Sequence, residues 1–205
     1  MEKRVYMICP VRGVSEQEKS FLDGYVAKLE AQNIRVHYPP RDVNQEDPIG
    51  LRILTEHRAA MKEADAVRIY WNGKSSGSFF DLGMAFMARV PVVLANPEMV
   101  PGQVPPLEDL DIFLLGLPQI ESLPHEAGLR VINQTYTRKA RIHREKQIEY
   151  TFNKLDKNFL FDFGMAFMTE KPIVLLNRAE VEQQRTPSKS FQNVLLELDS
   201  LARAS

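Results

Sequence analysis

Apolar and polar residues alternate in blocks along the first hundred positions. Arg4–Cys9, RVYMIC, is a short apolar run that predicts a strand, and Pro10-Val11-Arg12-Gly13 behind it predicts a turn. Ser15 is placed to cap a helix reaching about Gln32, because Phe21, Leu22, Tyr25, Val26 and Leu29 recur at helical spacing. Ile34–Tyr38 predicts a second strand, Arg41–Pro48 a polar loop, and Ile49–Glu63 a helix with Ile53, Leu54 and Met61 inward. Ala66–Trp71 predicts a third strand and Gly73–Gly77 a flexible loop. In Gly77–Asn96, Ser78 is positioned as a helix cap, and Phe79, Leu82, Ala85 and Phe86 form an apolar face. Asp81 then falls in the first turn, where the helix dipole favours a negative charge. Val90-Pro91 stops that helix, and Val92–Ala95 reads as a strand buried on both faces. Strands alternating with helices predict an α/β fold, a layered parallel sheet of the flavodoxin or Rossmann-like kind. In such sheets ligands bind beyond the carboxyl ends of the strands.

The block Gly77–Asn96 returns at a constant offset of 81 as Asn158–Asn177, with eleven identities in twenty positions. Chance would give about one, so the chain carries an internal repeat. Gln147–Asn153 aligns with Ala66–Asn72 at the same offset, and Phe191–Ala202 predicts a closing amphipathic helix. More weakly, Asp111–Pro118 and Gly128–Gln134 resemble the first two strands. The expected organisation is a first α/β unit over residues 1–96, a Pro-rich linker over 97–107, and a shortened second copy over 108–205 whose first two helices have shrunk.

Composition narrows the class. The 205 residues are 44% hydrophobic and 26% charged, enough for a real core. A net charge of −1 argues against binding polymeric nucleic acid by bulk electrostatics. No apolar stretch approaches a membrane span of about 18 residues, so no membrane partner is expected. The only cysteine is Cys9, and the apolar run at the N-terminus is too short for a signal peptide, so a reducing, cytoplasmic setting is expected. His37, His57, His125 and His143 show no metal-ligand spacing, and no P-loop or Gly-x-Gly-x-x-Gly occurs, so neither metal nor cofactor is expected.

Four pieces carry a resemblance: Val5–Gly13 (VYMICPVRG), Arg35–Asp42 (RVHYPPRD), Glu63–Tyr70 (EADAVRIY) and Ser76–Phe86 (SGSFFDLGMAF). In order and spacing they resemble the nucleoside 2-deoxyribosyltransferase family, including its deoxynucleoside-monophosphate N-glycosidase branch, over roughly residues 4–96. The last piece looks like that family's Gly-x-x-x-Glu-Leu-Gly-x-Ala signature. The resemblance implies a carboxylate that attacks C1′ of a nucleoside or nucleotide and displaces the base, which is retaining glycoside chemistry. The nucleophile position is Asp81, where the family has Glu. The family's second carboxylate position, twenty-four residues earlier, is His57, whose side chain can pass a proton near neutrality. The substrate-binding positions implied are Cys9, Pro10, Arg12, Gly13, Gly77, Ser78 and Gly83. Arg12 suits a phosphate, and Gly77-Ser78 offer N–H groups and a hydroxyl to an anion.

The expected ligand is therefore a small nucleoside or nucleotide. The resemblance also implies oligomers in which a neighbour closes the pocket; a homodimer is one expected assembly, and a fused copy is another source of that surface. Plain structural roles compete at each position: Asp81 as a dipole-stabilising residue, His57 as an ordinary helix histidine, Arg12 as a solvated cation, Gly77-Ser78 as capping. At most one of Tyr70 and Trp71 is expected to stack on a base, since they point to opposite sides of a strand. Asp65, Met84, Phe86 and Met87 read as structural. In the second copy Asp162 repeats Asp81, but Arg138 stands where His57 does, so it is not a second site of the same kind. The alternative to an N-glycosidase or deoxyribosyltransferase is a non-catalytic nucleotide-binding or scaffold module of the same fold. Hydrolysis of a larger nucleotide such as NAD is a third reading.

Overall fold

The computed structural model describes residues 3–99 and 125–204. The proposed linker over 97–107 and the strand expected over Asp111–Pro118 fall mostly or wholly outside that range. Four parallel strands form the first sheet: β1 (Lys3–Ile8), β2 (Ile34–His37), β3 (Ala66–Ile69) and β4 (Val92–Leu94), in the order β2-β1-β3-β4. Register is set by pairs such as Val5↔Val36 and Val5↔Ala66 around the central β1. The helices between them are α1 (Glu16–Glu30), a short α2 (Pro39–Asp42), α3 (Leu51–Lys62) and α4 (Ser76–Ala88).

Strand alternation sorts the core. Val5, Met7 and Cys9 pack with Leu22, Val26 and Leu29 of α1, while Tyr6 and Ile8 pack on the other face with Leu54, Met61 and the residues of α4. Ser15 closes a capping box on α1: its Oγ accepts from Glu18 N at 3.2 Å, and its own N–H donates to Glu18 Oε2 at 3.0 Å. Asp65 accepts the Arg4 N–H at 2.8 Å, the structural role its position suggested.

Two details of α4 differ from expectation. Its cap is Ser75, whose Oγ accepts the N–H of Ser78 at 3.3 Å, and Ser78 itself lies inside the helix, buried. Asp81 is thereby the sixth residue of α4, in its second turn, beyond the strong reach of the helix dipole. Every residue from Ser78 to Met87 is buried. A helix apolar all round is enclosed on all sides, here by the sheet and by the second copy.

That copy comprises α5 (His125–Arg144), β5 (Ile148–Tyr150), α6 (Lys157–Met168), β6 (Ile173–Leu175), α7 (Arg178–Gln183) and α8 (Phe191–Ala204). Among the described residues its sheet consists of β5 and β6, paired in parallel. Gly128–Gln134, expected as a strand, lies inside the twenty-residue α5, so the helix before β5 is long rather than shrunk. Local detail repeats at the same offset. Asn96 brackets Trp71, accepting its N–H at 2.8 Å and donating to its carbonyl at 2.9 Å; Asn177 brackets Phe152 in the same way at 2.9 and 2.7 Å.

The two copies pack α4 against α6 about a pseudo-two-fold axis. A Cβ on Gly83 would fall 2.1 Å from the Phe161 carbonyl oxygen, and one on Gly164 would fall 2.0 Å from that of Phe80. Arg58 donates to the Phe167 carbonyl, and Lys139 donates to that of Phe86. In each pair both partners differ by 81, so residue i meets j and j's copy meets i's copy. That reciprocity defines an isologous interface, normally found between two chains; here it lies within one. Phe80, Phe86, Phe161, Phe163 and Phe167 fill it.

Candidate functional site

A cavity of about 530 Å³ opens beyond the carboxyl ends of β1 and β3, where the strand order reverses. Open α/β sheets bind ligands at such a switch point, and this volume is in the range of small-molecule sites. Cys9, Pro10, Arg12 and Gly13 reach it from the turn after β1, His57 from α3, and Gly77 and Asp81 from α4. Two of the residues implied by the resemblance stand apart. Ser78 is buried in α4 and does not line the cavity. Gly83 sits at the α4–α6 crossing, where the facing backbone leaves no room for a side chain, so its glycine is a packing requirement.

At the floor of the cavity Asp81 and His57 meet. Asp81 is 5% exposed and His57 7%. Asp81 Oδ1 lies 3.5 Å from His57 Nδ1, and Asp81 Oδ2 accepts a 3.0 Å hydrogen bond from the Tyr6 hydroxyl. Among the described residues neither ring nitrogen of His57 has a hydrogen-bond partner. A buried polar group without a partner is costly, and His57 carries that cost at the edge of the cavity it lines. Burial, and then the charge of Asp81, push the Tyr6 hydroxyl well up, which keeps it a donor to the carboxylate. The His37 ring stacks on Tyr6 at 5.3 Å and meets His57 edge-on at 6.4 Å. Burial holds His37 below the ordinary histidine range, which favours its neutral form.

Tyr6 and His37 did not stand out in the sequence. The one available signal was a tyrosine in the middle of an apolar strand, because a buried phenol needs a partner for its hydroxyl.

The rim is polar. Gly13 adopts φ 64°, a left-handed conformation that favours glycine, and Arg12 beside it is exposed. Burial pushes the Cys9 thiol up, so it stays protonated and unreactive. Tyr70 and Trp71 occupy opposite faces of the sheet as expected, but both are buried, and neither lines the cavity. Among the described residues no group of three or more His, Cys, Asp and Glu is arranged to hold a metal ion, and no helix is long and apolar enough to cross a membrane.

The second copy carries a closed version of the same pair. Arg138 Nη1 donates to Asp162 Oδ2 at 3.0 Å, in place of the His57–Asp81 contact. Burial lifts Asp162 to about 6 even against the Arg138 charge. A guanidinium cannot give up its proton at neutral pH, so Arg138 cannot serve as the proton donor that His57 offers in the first copy. What the second copy contributes is surface: Leu155, Lys189, Ser190, Phe191 and Val194 line the same cavity as Asp81 and His57.

Other clefts are poorer candidates. One of about 480 Å³ lies beside α1, and its charged groups close on one another as Lys19–Asp23 and Arg41–Glu30. Comparison of the chain with protein-family models, curated proteins and solved structures finds no match.

Proposed function

We propose that the chain is an N-glycosidase or deoxyribosyltransferase-like enzyme acting on a small nucleoside or nucleotide. The observation that carries this is one cavity shared by a buried carboxylate, an adjacent imidazole and a guanidinium at the rim: Asp81, His57 and Arg12. An Asp81 oxygen attacks C1′ and forms a C1′–O bond. The C1′–N bond breaks, its electron pair goes to the base nitrogen, and His57 supplies the proton that neutralises the leaving base. Water, or a second base in a transferase, then attacks C1′, gives its proton to His57 and frees the Asp81 carboxylate. Tyr6 holds one carboxylate oxygen and so fixes the direction of the other. Asp81 is one methylene shorter than the glutamate of the resembled family, so the sugar must sit correspondingly deeper.

The competing reading is a nucleotide-binding module without chemistry. It is favoured by the depth of Asp81 and by its existing bond to Tyr6. A chromatographic screen of nucleosides and nucleotides for released base decides between the two. The enzyme releases base, and Asp81→Asn lowers the rate by orders of magnitude with little change in affinity, since the lost interaction belongs to the transition state. Wild-type protein that releases nothing, with Asp81→Glu equally silent, supports the binding module. Release undiminished in Asp81→Asn removes Asp81 from the nucleophile's role.

A further inference from the structure

The cavity wall contributed by the second copy sets three apolar side chains beside Lys189 and Ser190 and is held close to the first. Leu155 comes from the loop between β5 and α6, and Phe191 and Val194 come from α8. A Cβ placed on Gly50, at the start of α3, would meet Val194 Cγ2 at 3.5 Å and Lys189 Cβ at 3.6 Å. Lys189 Nζ donates to the Gln45 carbonyl and ties the start of α8 to the chain ahead of α3.

Helical spacing divides the cavity into two kinds of surface. On α4, Gly77 and Asp81 are one turn apart and share a face. With Arg12 and Gly13 they offer a cation, open backbone and a helix N-terminus, which suit the oxygens of a sugar and a phosphate. On α3, Ile53 and His57 are one turn apart and share a face. Ile53 presents carbon to the cavity, as do Leu155, Phe191 and Val194 of the second copy, Val194 lying against the start of the same helix; such surface suits a flat, weakly hydrated ring. His57 thus shares a helix face with the apolar Ile53, and Asp81, 3.5 Å from it, shares one with Gly77.

We propose that the second copy, its own pair closed by Arg138, is the specificity wall of the first copy's site. Leu155, Phe191 and Val194 hold the aromatic leaving group of a nucleoside phosphate beside Ile53 and His57. The identity of that group rests on the glycosidase reading; the wall itself requires only binding.

The test is calorimetric titration of the full chain with deoxyadenosine monophosphate and, separately, with deoxyribose phosphate, which lacks the base. Phe191→Ala and Leu155→Asn should each weaken the nucleotide about tenfold, the scale of one lost aromatic contact, and leave deoxyribose phosphate unchanged. Phe191 packs on Phe80 at 5.1 Å and Leu155, in a loop, packs against the same core, so thermal melts accompany both variants and deoxyribose phosphate, bound by the same folded chain, is the control. Equal weakening of both ligands, no weakening of either, or no binding of either by the wild-type chain overturns the proposal. The two proposals fail separately. Nucleotide binding that depends on Leu155, with no base released, keeps the wall and removes the glycosidase. Base release at wild-type efficiency in both wall variants does the reverse.

Discussion

Gly83→Ala measures the closeness of the two copies. The added Cβ would lie 2.1 Å from the Phe161 carbonyl oxygen, 2.9 Å from its carbon and 3.1 Å from Met165 N. All three are backbone atoms, so no side-chain rotation relieves the clash. Reaching even 3.0 Å, the lower limit of real contacts, requires α4 and α6 to part by about 0.9 Å. A gap of that size forfeits about a quarter to a half of the dispersion across the phenylalanine-filled interface. Overpacking against a rigid partner costs about 3 kcal/mol. Alanine's better helix propensity returns about 1 kcal/mol. The expected net loss is therefore about 2 kcal/mol, measured by urea denaturation. Gly24→Ala is the control: Gly24 is exposed on α1, a Cβ there meets nothing within 4 Å, and the same substitution should stabilise by about 1 kcal/mol. Gly164→Ala should match Gly83→Ala, and the double variant should lose less than the sum, because one substitution already parts the helices. A Gly83→Ala protein as stable as wild type would refute the close crossing.

The remaining predictions concern charge. Arg12→Ala should weaken a nucleoside monophosphate by about 1 kcal/mol, the modest value expected of an exposed guanidinium, and leave the matching nucleoside unaffected in calorimetry; equal loss for both would remove Arg12 from phosphate binding. Asp162 should titrate at about 6 by carboxyl NMR rather than at its ordinary 3.8. Because its folded-state value is raised, its contribution to stability is fully present below 3.8 and is lost as pH rises through about 6. A midpoint near 4 would mean that Arg138, not burial, governs it.

Much of this architecture was legible because it rests on local periodicity. The strand and helix order of the first copy follows from apolar spacing, and the copying from eleven identities at one offset. The misreadings have physical causes. Gly128–Gln134 is aliphatic enough to pass for a strand, and its helical period emerges only over the full length of α5. Ser75, Ser76 and Ser78 are all competent caps, and propensity does not choose among them. Gly83 matched a ligand-binding signature, yet a glycine recurring inside two apolar helices is also the mark of backbones in contact; only the facing Phe161 decides it. Tyr6 reaches Asp81 across 75 residues of sequence, a contact that the fold creates and no local pattern encodes.

Intact-protein mass spectrometry after rapid acid quench tests the nucleophile most directly. Wild-type chain mixed with a substrate identified by the base-release screen should gain the mass of one sugar, or sugar phosphate, and peptide mapping should place it on Asp81. Asp81→Asn should show no adduct. Base release with no adduct on the chain, or an adduct carried by any other residue, would contradict the account.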